Sequence, residues 1–371
     1  MQPIDGKLAP FDGRGERFAG KAGFGAYCEQ LREAGVSDLM IRQTPLRIAV
    51  CTRARFRRFP DELAPYALEW LRHFEELYLK PGVLQDRWNR EKTLDVAHRL
   101  PGGGFARLHF WRQGGLNLSA RIHPAHPPLL DDVLPIESER EEQIRRDLIA
   151  MLTRRQGLIV IGGQVRSGKT WLEHALYDYL NRHTEGGHAW LIGDPLEFEH
   201  EDEGWIFTPN DVSERGTTQD YEIRRSLRVP RTLIGVGEMR GDTASTEATL
   251  TAALAGTLVV ATGHFSDVQD IVSRFSLGSA AMSEQSKRSV FLEALQGVIH
   301  LALAPGIDGR EVLVVSYTDF GQHANLKTDL AEGKRVGPTT IDVGYRPLAA
   351  DAALLVSKIG RDAATALGAR V

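Results

Sequence analysis

Cysteine is nearly missing: Cys28 and Cys51 are the two in 371 residues, and no C-x-x-C pair occurs. That excludes a disulfide framework and a cysteine zinc module, and leaves two reduced, packed thiols as the expectation. No uncharged apolar run approaches the 18 or so residues a membrane-spanning helix needs. Positive charge is not in excess either, with 45 Lys and Arg against 49 Asp and Glu and a net charge of −4. Such a chain has no overall field to hold nucleic acid by neutralising phosphates, so nucleic acid is not an expected partner. Internal repeats and low-complexity tracts are absent. Residues 1–20 carry glycines and charges where a secretory signal would carry an apolar core. They read as a flexible N-terminus, and the expectation is a reducing cytoplasm with any membrane contact made through partners.

What is present is an ordinary globular composition, 42% apolar and 25% charged, in a chain longer than one core usually serves. Its organising stretch is Gly163-Gln164-Val165-Arg166-Ser167-Gly168-Lys169-Thr170. This fits G-x-x-x-x-G-K-[ST], in which glycines let the backbone close so that its N–H groups point at polyphosphate oxygens. Before it, Gly157-Leu158-Ile159-Val160-Ile161 reads as a buried parallel strand, and after it Leu172, Leu176, Tyr179 and Leu180 recur at helical spacing. Strand, loop and helix in that order set a helix N-terminus against phosphate.

Upstream, Phe24, Tyr27, Cys28 and Leu31 predict an amphipathic helix, and 39–41 and 46–50 predict short strands. A second helix is expected to open at Asp61 and Glu62 and to carry Leu63 through Phe74. Strand candidates 93–100, 105–111 and 116–122, separated by glycine turns, predict an antiparallel meander in a small α+β domain. Four prolines within 123–135 mark a linker. Beyond it, strands are expected at 189–192, 233–236, 258–261 and 312–315, alternating with helices that include 243–254, 267–275 and 284–303. That alternation implies an α/β fold with a mostly parallel sheet covered on both faces. The tail 347–368 reads as Ala-rich helix. The domains are therefore drawn as 21–123 (α+β), 124–138 (linker) and 139–371 (the domain that carries the glycine loop).

If the loop holds a nucleotide, Lys169 is placed to reach the β- and γ-phosphates and Thr170 to ligate Mg²⁺. Hydrolysis then needs a carboxylate at the end of a neighbouring strand. Glu238, after 233–236, meets that need; Asp194 and Glu197, after 189–192, occupy the same kind of place. His264, again following a strand, is positioned either to hydrogen-bond a phosphate or to serve as a structural histidine.

The series GQVRSGKT, GDPLEFEH, GVGEMRGD and AALAGTLVVATGH resembles the four nucleotide-site boxes of the secretion and pilus traffic ATPases. The likeness extends to 35–39, 106–110 and 119–124, which are similar to that family's first domain. It implies a RecA-like P-loop domain preceded by a smaller, PAS-like α+β domain. It also implies ATP and Mg²⁺ at Lys169 and Thr170, with Asp194, Glu197 and Glu238 on the metal side and Glu238 as the catalytic glutamate. By the same resemblance Arg107 and Arg121 reach nucleotide across the subunit interface of a hexamer, where a guanidinium neutralises charge developing on the γ-phosphoryl group. The read-out of Arg107 and Arg121 as paired surface residues stays beside it. Three departures stand out: Gly193 replaces the first glutamate of E-D-P-x-E, Thr257 replaces the first of two histidines, and one extra residue separates Glu238 from the histidine box. The lack of a tetracysteine module argues against the type II secretion and pilus-assembly branch. Size and Leu227-Arg228-Val229-Pro230-Arg231 look closer to pilus-retraction or type IVB (Dot/Icm, conjugation) ATPases.

The expected function is a homohexameric ATP-hydrolysing motor of a type IV secretion or type IV pilus machine, working against inner-membrane platform or secretion-complex proteins. The linker is its hinge. A nucleotide-binding assembly subunit with little hydrolysis is the alternative that Gly193 and Thr257 motivate, and a RecA-like nucleic-acid motor is a third reading.

Overall fold

Strict alternation over 93–122 produces three strands whose inward residues share one face. The structure, a computed structural model, describes residues 20–52, 55–58, 64–80, 82–239, 242–265, 268–275, 284–308, 311–321, 324–332, 345–346, 348–367 and 369. The expected loose terminus, the helix start at Asp61-Glu62-Leu63, the start of the 267–275 helix at Asp267, and both ends of the tail at Pro347 and Gly368 lie outside those residues. So do Arg240 and Gly241 of the third box.

Contacts divide the chain into two compact units, one of 1–127 with 193–200 and 210–217, the other of 128–192, 201–209 and 218–371. The first holds a six-stranded sheet of β1 (Asp38–Arg42), β2 (Arg47–Thr52), β3 (Arg55–Arg58), β4 (Thr93–Arg99), β5 (Phe105–Arg112) and β6 (Leu116–Ile122) in the order β3-β2-β1-β6-β5-β4. Every pairing is antiparallel, so the expected meander β4-β5-β6 is there, extended by β1 to β3. Leu94, Val96, Leu108, Phe110 and Leu118 are buried together with Phe24, Trp70 and Phe74 of the helices Gly20–Glu33 and Ala64–Phe74. Phe24 meets Phe74 edge-on at 4.8 Å and Trp70 at 5.6 Å, the geometry that aligns a ring edge with a neighbour's π face. Cys28 and Cys51 are both free and buried, and burial pushes the Cys28 thiol up, away from thiolate chemistry.

The second sheet runs β14-β13-β12-β7-β11-β10-β8-β9. Its members are β7 (Gly157–Gly163), β8 (Gly187–Gly193), β9 (Trp205–Asp211), β10 (Leu233–Glu238), β11 (Leu258–Gly263), β12 (Leu295–Pro305), β13 (Glu311–Asp319) and β14 (Tyr345–Arg346). β12, β7, β11, β10 and β8 are parallel neighbours, whereas β13 and β14 pair antiparallel. All seven residues of β7 are buried, as a strand covered on both faces requires. The core adds Leu172, Leu176 and Leu180 from the helix Lys169–His183 and Ile144, Leu148 and Met151 from Glu139–Leu152. Leu130 and Leu134, inside the proline-rich stretch, are buried in the same cluster.

One expectation is overturned outright. The helix expected over 284–303 ends at Ala294, and Leu295–Pro305 is a strand between β7 and β13. Its apolar run is short-range ambiguous between a buried helix and a buried strand; two waiting sheet edges, one on each side, decide it. β3, β9 and the helix Gly82–Glu91 were also not foreseen. The Ala-rich tail is helical, as two pieces, Leu348–Leu354 and Val356–Ala366.

Candidate active site

The glycine loop leaves the carboxyl end of β7 and runs into the helix Lys169–His183. Gly163 has φ 148° and Gly168 φ 88°, and a Cβ on Gly163 would sit 2.4 Å from both the Leu301 carbonyl oxygen and Ser167 Oγ. Glycine is therefore required at 163 for space as well as for conformation. Arg166 holds φ 67°, a left-handed conformation that costs a non-glycine residue about 1–2 kcal/mol. The helix is capped by Gly168 with no side-chain hydrogen bond, so its first N–H groups are left facing the loop, the arrangement that suits an anion.

Within the loop the buried Lys169 donates from Nζ to the carbonyl oxygens of Gly163 at 3.0 Å and Gln164 at 2.8 Å. His264, just past β11, brings its Nδ1 to 3.2 Å from the Gly163 oxygen and 3.4 Å from Lys169 Nζ. Its Nε2 lies 2.8 Å from Glu238 Oε1. A carboxylate oxygen only accepts, so the ring carries hydrogen on Nε2. Glu238, His264 and Lys169 thus form a continuous polar chain ending on the loop, and the structure brings these three sequence candidates together.

Glu238 reaches that place through a feature not foreseen from the sequence. Val236 pairs with Ala261 but Glu238 pairs with Thr262, so Gly237 is an extra residue in β10. Such an irregularity re-aims the next side chain. Met239 N–H then closes onto the Thr262 oxygen at 2.8 Å, holding the strand end in register.

The two remaining carboxylate candidates belong to the first unit. Asp194 Oδ1 accepts a hydrogen bond from Ser213 Oγ, and Asp211 Oδ2 accepts from Leu196 N–H at 3.0 Å. Burial pushes the Asp211 carboxyl up, against backbone hydrogen bonds from Glu214 and Leu196 that draw it down. Glu197 Oε2 stands 4.0 Å from Nδ1 of the buried His123. Glu199 accepts a two-pronged bond from Arg99 at 2.6 and 2.7 Å.

Arg107 and Arg121 face one another across β5 and β6. Arg121 Nε donates to Asp38 at 2.9 Å, and Arg107 lies 3.6 Å from Asp95, which also holds His109 at 3.1 Å. Burial works to raise the Asp95 carboxyl, but the His109 hydrogen bond and the His109 and Arg107 charges outweigh it and hold it low. His123 is pushed down by burial, with Glu197 and Asp38 opposing and Arg121 and Arg107 adding to it. Arg107, Arg121 and Glu197 therefore share one electrostatic neighbourhood around His123. His123 lies within the 119–124 run, and sequence reasoning assigned it no role of its own.

The departures gain a physical reading. A Cβ on Gly193 would lie 2.8 Å from Leu196 Cα and 2.9 Å from Leu196 N, so the turn after β8 excludes the missing glutamate. Thr257 precedes β11, whereas His264 follows it; six strand residues put them about 20 Å apart. Thr257 Oγ1 accepts from Arg231 at 2.8 Å and its carbonyl from Gly157 N–H at 3.1 Å, pinning the strand starts at the opposite end from the loop.

No group of three or more His, Cys, Asp or Glu that could hold a metal occurs among the described residues. Mg²⁺ ordinarily keeps several waters and takes one or two protein oxygens plus phosphate oxygens. The donor set of Thr170 and Glu238 beside a glycine cradle is compatible with that. No helix of the described residues is long and apolar enough to cross a membrane.

A glycine loop between a buried parallel strand and a helix N-terminus, with a carboxylate at the end of a neighbouring strand, defines a P-loop nucleotide-site architecture of the RecA-like kind. Residues 130–305 match the family described as Type II/IV secretion system protein. The uncharacterized protein YggR of Escherichia coli K12 is 28% identical over 269 residues, covering 68% of this chain and 76% of its own. The type IV pilus retraction ATPase PilT of Pseudomonas aeruginosa is 34% identical over 157 residues, covering 42% and 45%. A crystal structure of the pilus retraction motor PilT with bound ADP superposes with a TM-score of 0.74 at 21% identity, over 92% of this chain and 96% of that one; at that identity it speaks for the fold. Over residues 130–305 the chain is thus similar to the Type II/IV secretion system family, and its fold is that of the pilus retraction motor.

Proposed function

We propose that this chain is an ATP-hydrolysing motor subunit of a type IV secretion or type IV pilus machine. The observation that carries the reading is the polar chain Glu238–His264–Lys169 lying on the glycine loop. The loop's N–H groups and Lys169 bind the polyphosphate, and Thr170 offers its hydroxyl to a Mg²⁺ whose chemistry is to neutralise the phosphate oxygens. Glu238 orients and deprotonates the attacking water, with its carboxylate held by the His264 N–H.

In a hexamer, Arg107 and Arg121 of one subunit serve the nucleotide of the next. Support for this is their side-by-side register, which offers two guanidinium groups from one patch. A nucleotide cycle that makes and breaks such a contact converts hydrolysis into domain closure, the general route by which ligand binding drives motion. Membrane attachment falls to a platform or secretion-complex partner.

The alternative of a binding subunit with little turnover rests on Gly193, since Thr257 lies at the far end of its strand. Phosphate release by the purified oligomer decides between them. Lys169→Ala is expected to lose ATP binding or turnover, and Glu238→Gln to bind ATP while turning over on the order of a hundredfold to a thousandfold more slowly. Wild-type turnover by Glu238→Gln refutes the assignment of the base.

A further inference from the structure

The chain has six tryptophans. Trp70, Trp88, Trp190 and Trp205 are buried and Trp111 is half-buried, whereas Trp171 is 45% exposed. At that exposure part of the ring's surface is open to solvent and available to a further contact. Its place in the fold supplies a reason. Trp171 is the third residue of the helix Lys169–His183 and follows Thr170 directly. Lys169 is buried and turned to the loop carbonyls; two residues on, at about 100° per residue, Trp171 points to the outer face of that first turn.

The geometry of a phosphate loop gives the bound molecule a direction. Lysine reaches the β- and γ-phosphates while the α-phosphate lies against the loop and the first helical amides, so sugar and base leave over the first turn of the helix. On that turn the exposed aromatic is Trp171. Every base offers a π face, and an indole offers a broad one. We propose that Trp171 is the base-stacking residue of the nucleotide site, packing its ring against the purine of the bound nucleotide. The proposal rests on reading the glycine loop as a nucleotide site and extends it to the base. Because stacking is tolerant of base identity, this residue contributes affinity for purine nucleotides without separating adenine from guanine.

The test uses the full-length protein and two probes, Mg·ADP and Mg·pyrophosphate, the second filling the loop without a base. In acrylamide quenching of intrinsic fluorescence, the exposed Trp171 dominates the accessible signal; Mg·ADP and Mg·GDP are expected to shield it and Mg·pyrophosphate to leave it accessible. By calorimetry, Trp171→Ala should weaken Mg·ADP about tenfold with pyrophosphate affinity unchanged, and Trp171→Phe should retain most of the affinity. Wild-type Mg·ADP affinity in Trp171→Ala overturns the stack and leaves the loop's phosphate role intact. Shielding that follows protein concentration rather than nucleotide overturns it too, making Trp171 a subunit contact. Failure of the wild-type protein to bind either probe removes the nucleotide site itself. Should Trp171→Ala not fold, the quenching of the wild-type protein by the two probes still decides.

Discussion

Replacing His264 with alanine separates a positioning role from a structural one, because the two carry different magnitudes. The shortest polar contact of the imidazole is Nε2 to Glu238 Oε1 at 2.8 Å, with Nδ1 at 3.2 Å from the Gly163 oxygen and 3.4 Å from Lys169 Nζ, and the His264 and Glu238 side chains are about two-fifths exposed, 41% and 43%. An ion pair that open to water contributes about 0–1 kcal/mol to stability. A loss of that size moves the melting temperature by only about 2–4 °C in a domain as large as the second unit. The consequence for turnover is much larger. Without the N–H, the Glu238 carboxylate loses the His264 contact that fixes its rotation, and a base displaced by about 1 Å costs on the order of a hundredfold, or about 2.7 kcal/mol of barrier. His264→Ala is therefore expected to release phosphate about a hundredfold more slowly in steady-state and single-turnover assays. Its KM for ATP should stay within about threefold of wild type, because the loop and Lys169 remain. His264→Gln, whose amide N–H can reach Glu238, should recover part of the loss. Wild-type kcat in His264→Ala refutes the argument, and so does a fall in melting temperature large enough to unfold the protein at assay temperature.

Two further expectations concern stability and the altered acidic box. Burial lowers the His98 pKa to about 4, with the nearby His73 charge adding, and burial lowers His200 to about 3. Both folded values lie below the ordinary value of 6.5, so the unfolded chain takes up protons first and stability falls as pH drops below about 6.5. At pH 5 each histidine has cost about 2 kcal/mol relative to pH 8. His123, also pushed down by burial, acts in the same sense. Glu141, held to about 2, has its own loss below pH 4.5, outside this window. Urea unfolding at pH 8 and pH 5 should show the loss, and His98→Asn and His200→Asn should each flatten it; a pH-independent midpoint refutes the account. Gly193→Glu, which restores the box by sequence, must push the Leu196 backbone away. It is expected to lose about 1–3 kcal/mol in urea unfolding and to gain no turnover; a stable, faster variant contradicts the turn geometry.

Local chemistry accounts for what could be read without coordinates. The spacing of Gly163, Gly168 and Lys169 declares a phosphate loop because only that backbone brings N–H groups and one ammonium to the same anion. The flanking apolar runs place it between strand and helix, and alternation over 93–122 yields the meander to within a residue or two. All of these depend on neighbours a few residues apart. The expectation for 284–303 failed for the converse reason: a short apolar run is equally content in a helix or a strand, and only the exposed edges of β7 and β13 choose the strand.

The same division runs through the site. Sequence alone named Glu238, His264 and Lys169 as separate candidates. The insertion of Gly237 into β10 turns the glutamate onto the histidine, and that depends on pairing with a strand more than twenty residues away. Arg107 and Arg121 face one another through the β5–β6 register, and Glu197 joins them through His123, which lies in the 119–124 run but had been given no role there. Spacing along the chain specifies chemistry wherever the interacting groups are near in sequence. Where strands bring distant groups together, the hydrogen-bond ladder and the space beside Leu196 decide, and those exist only once the chain has folded.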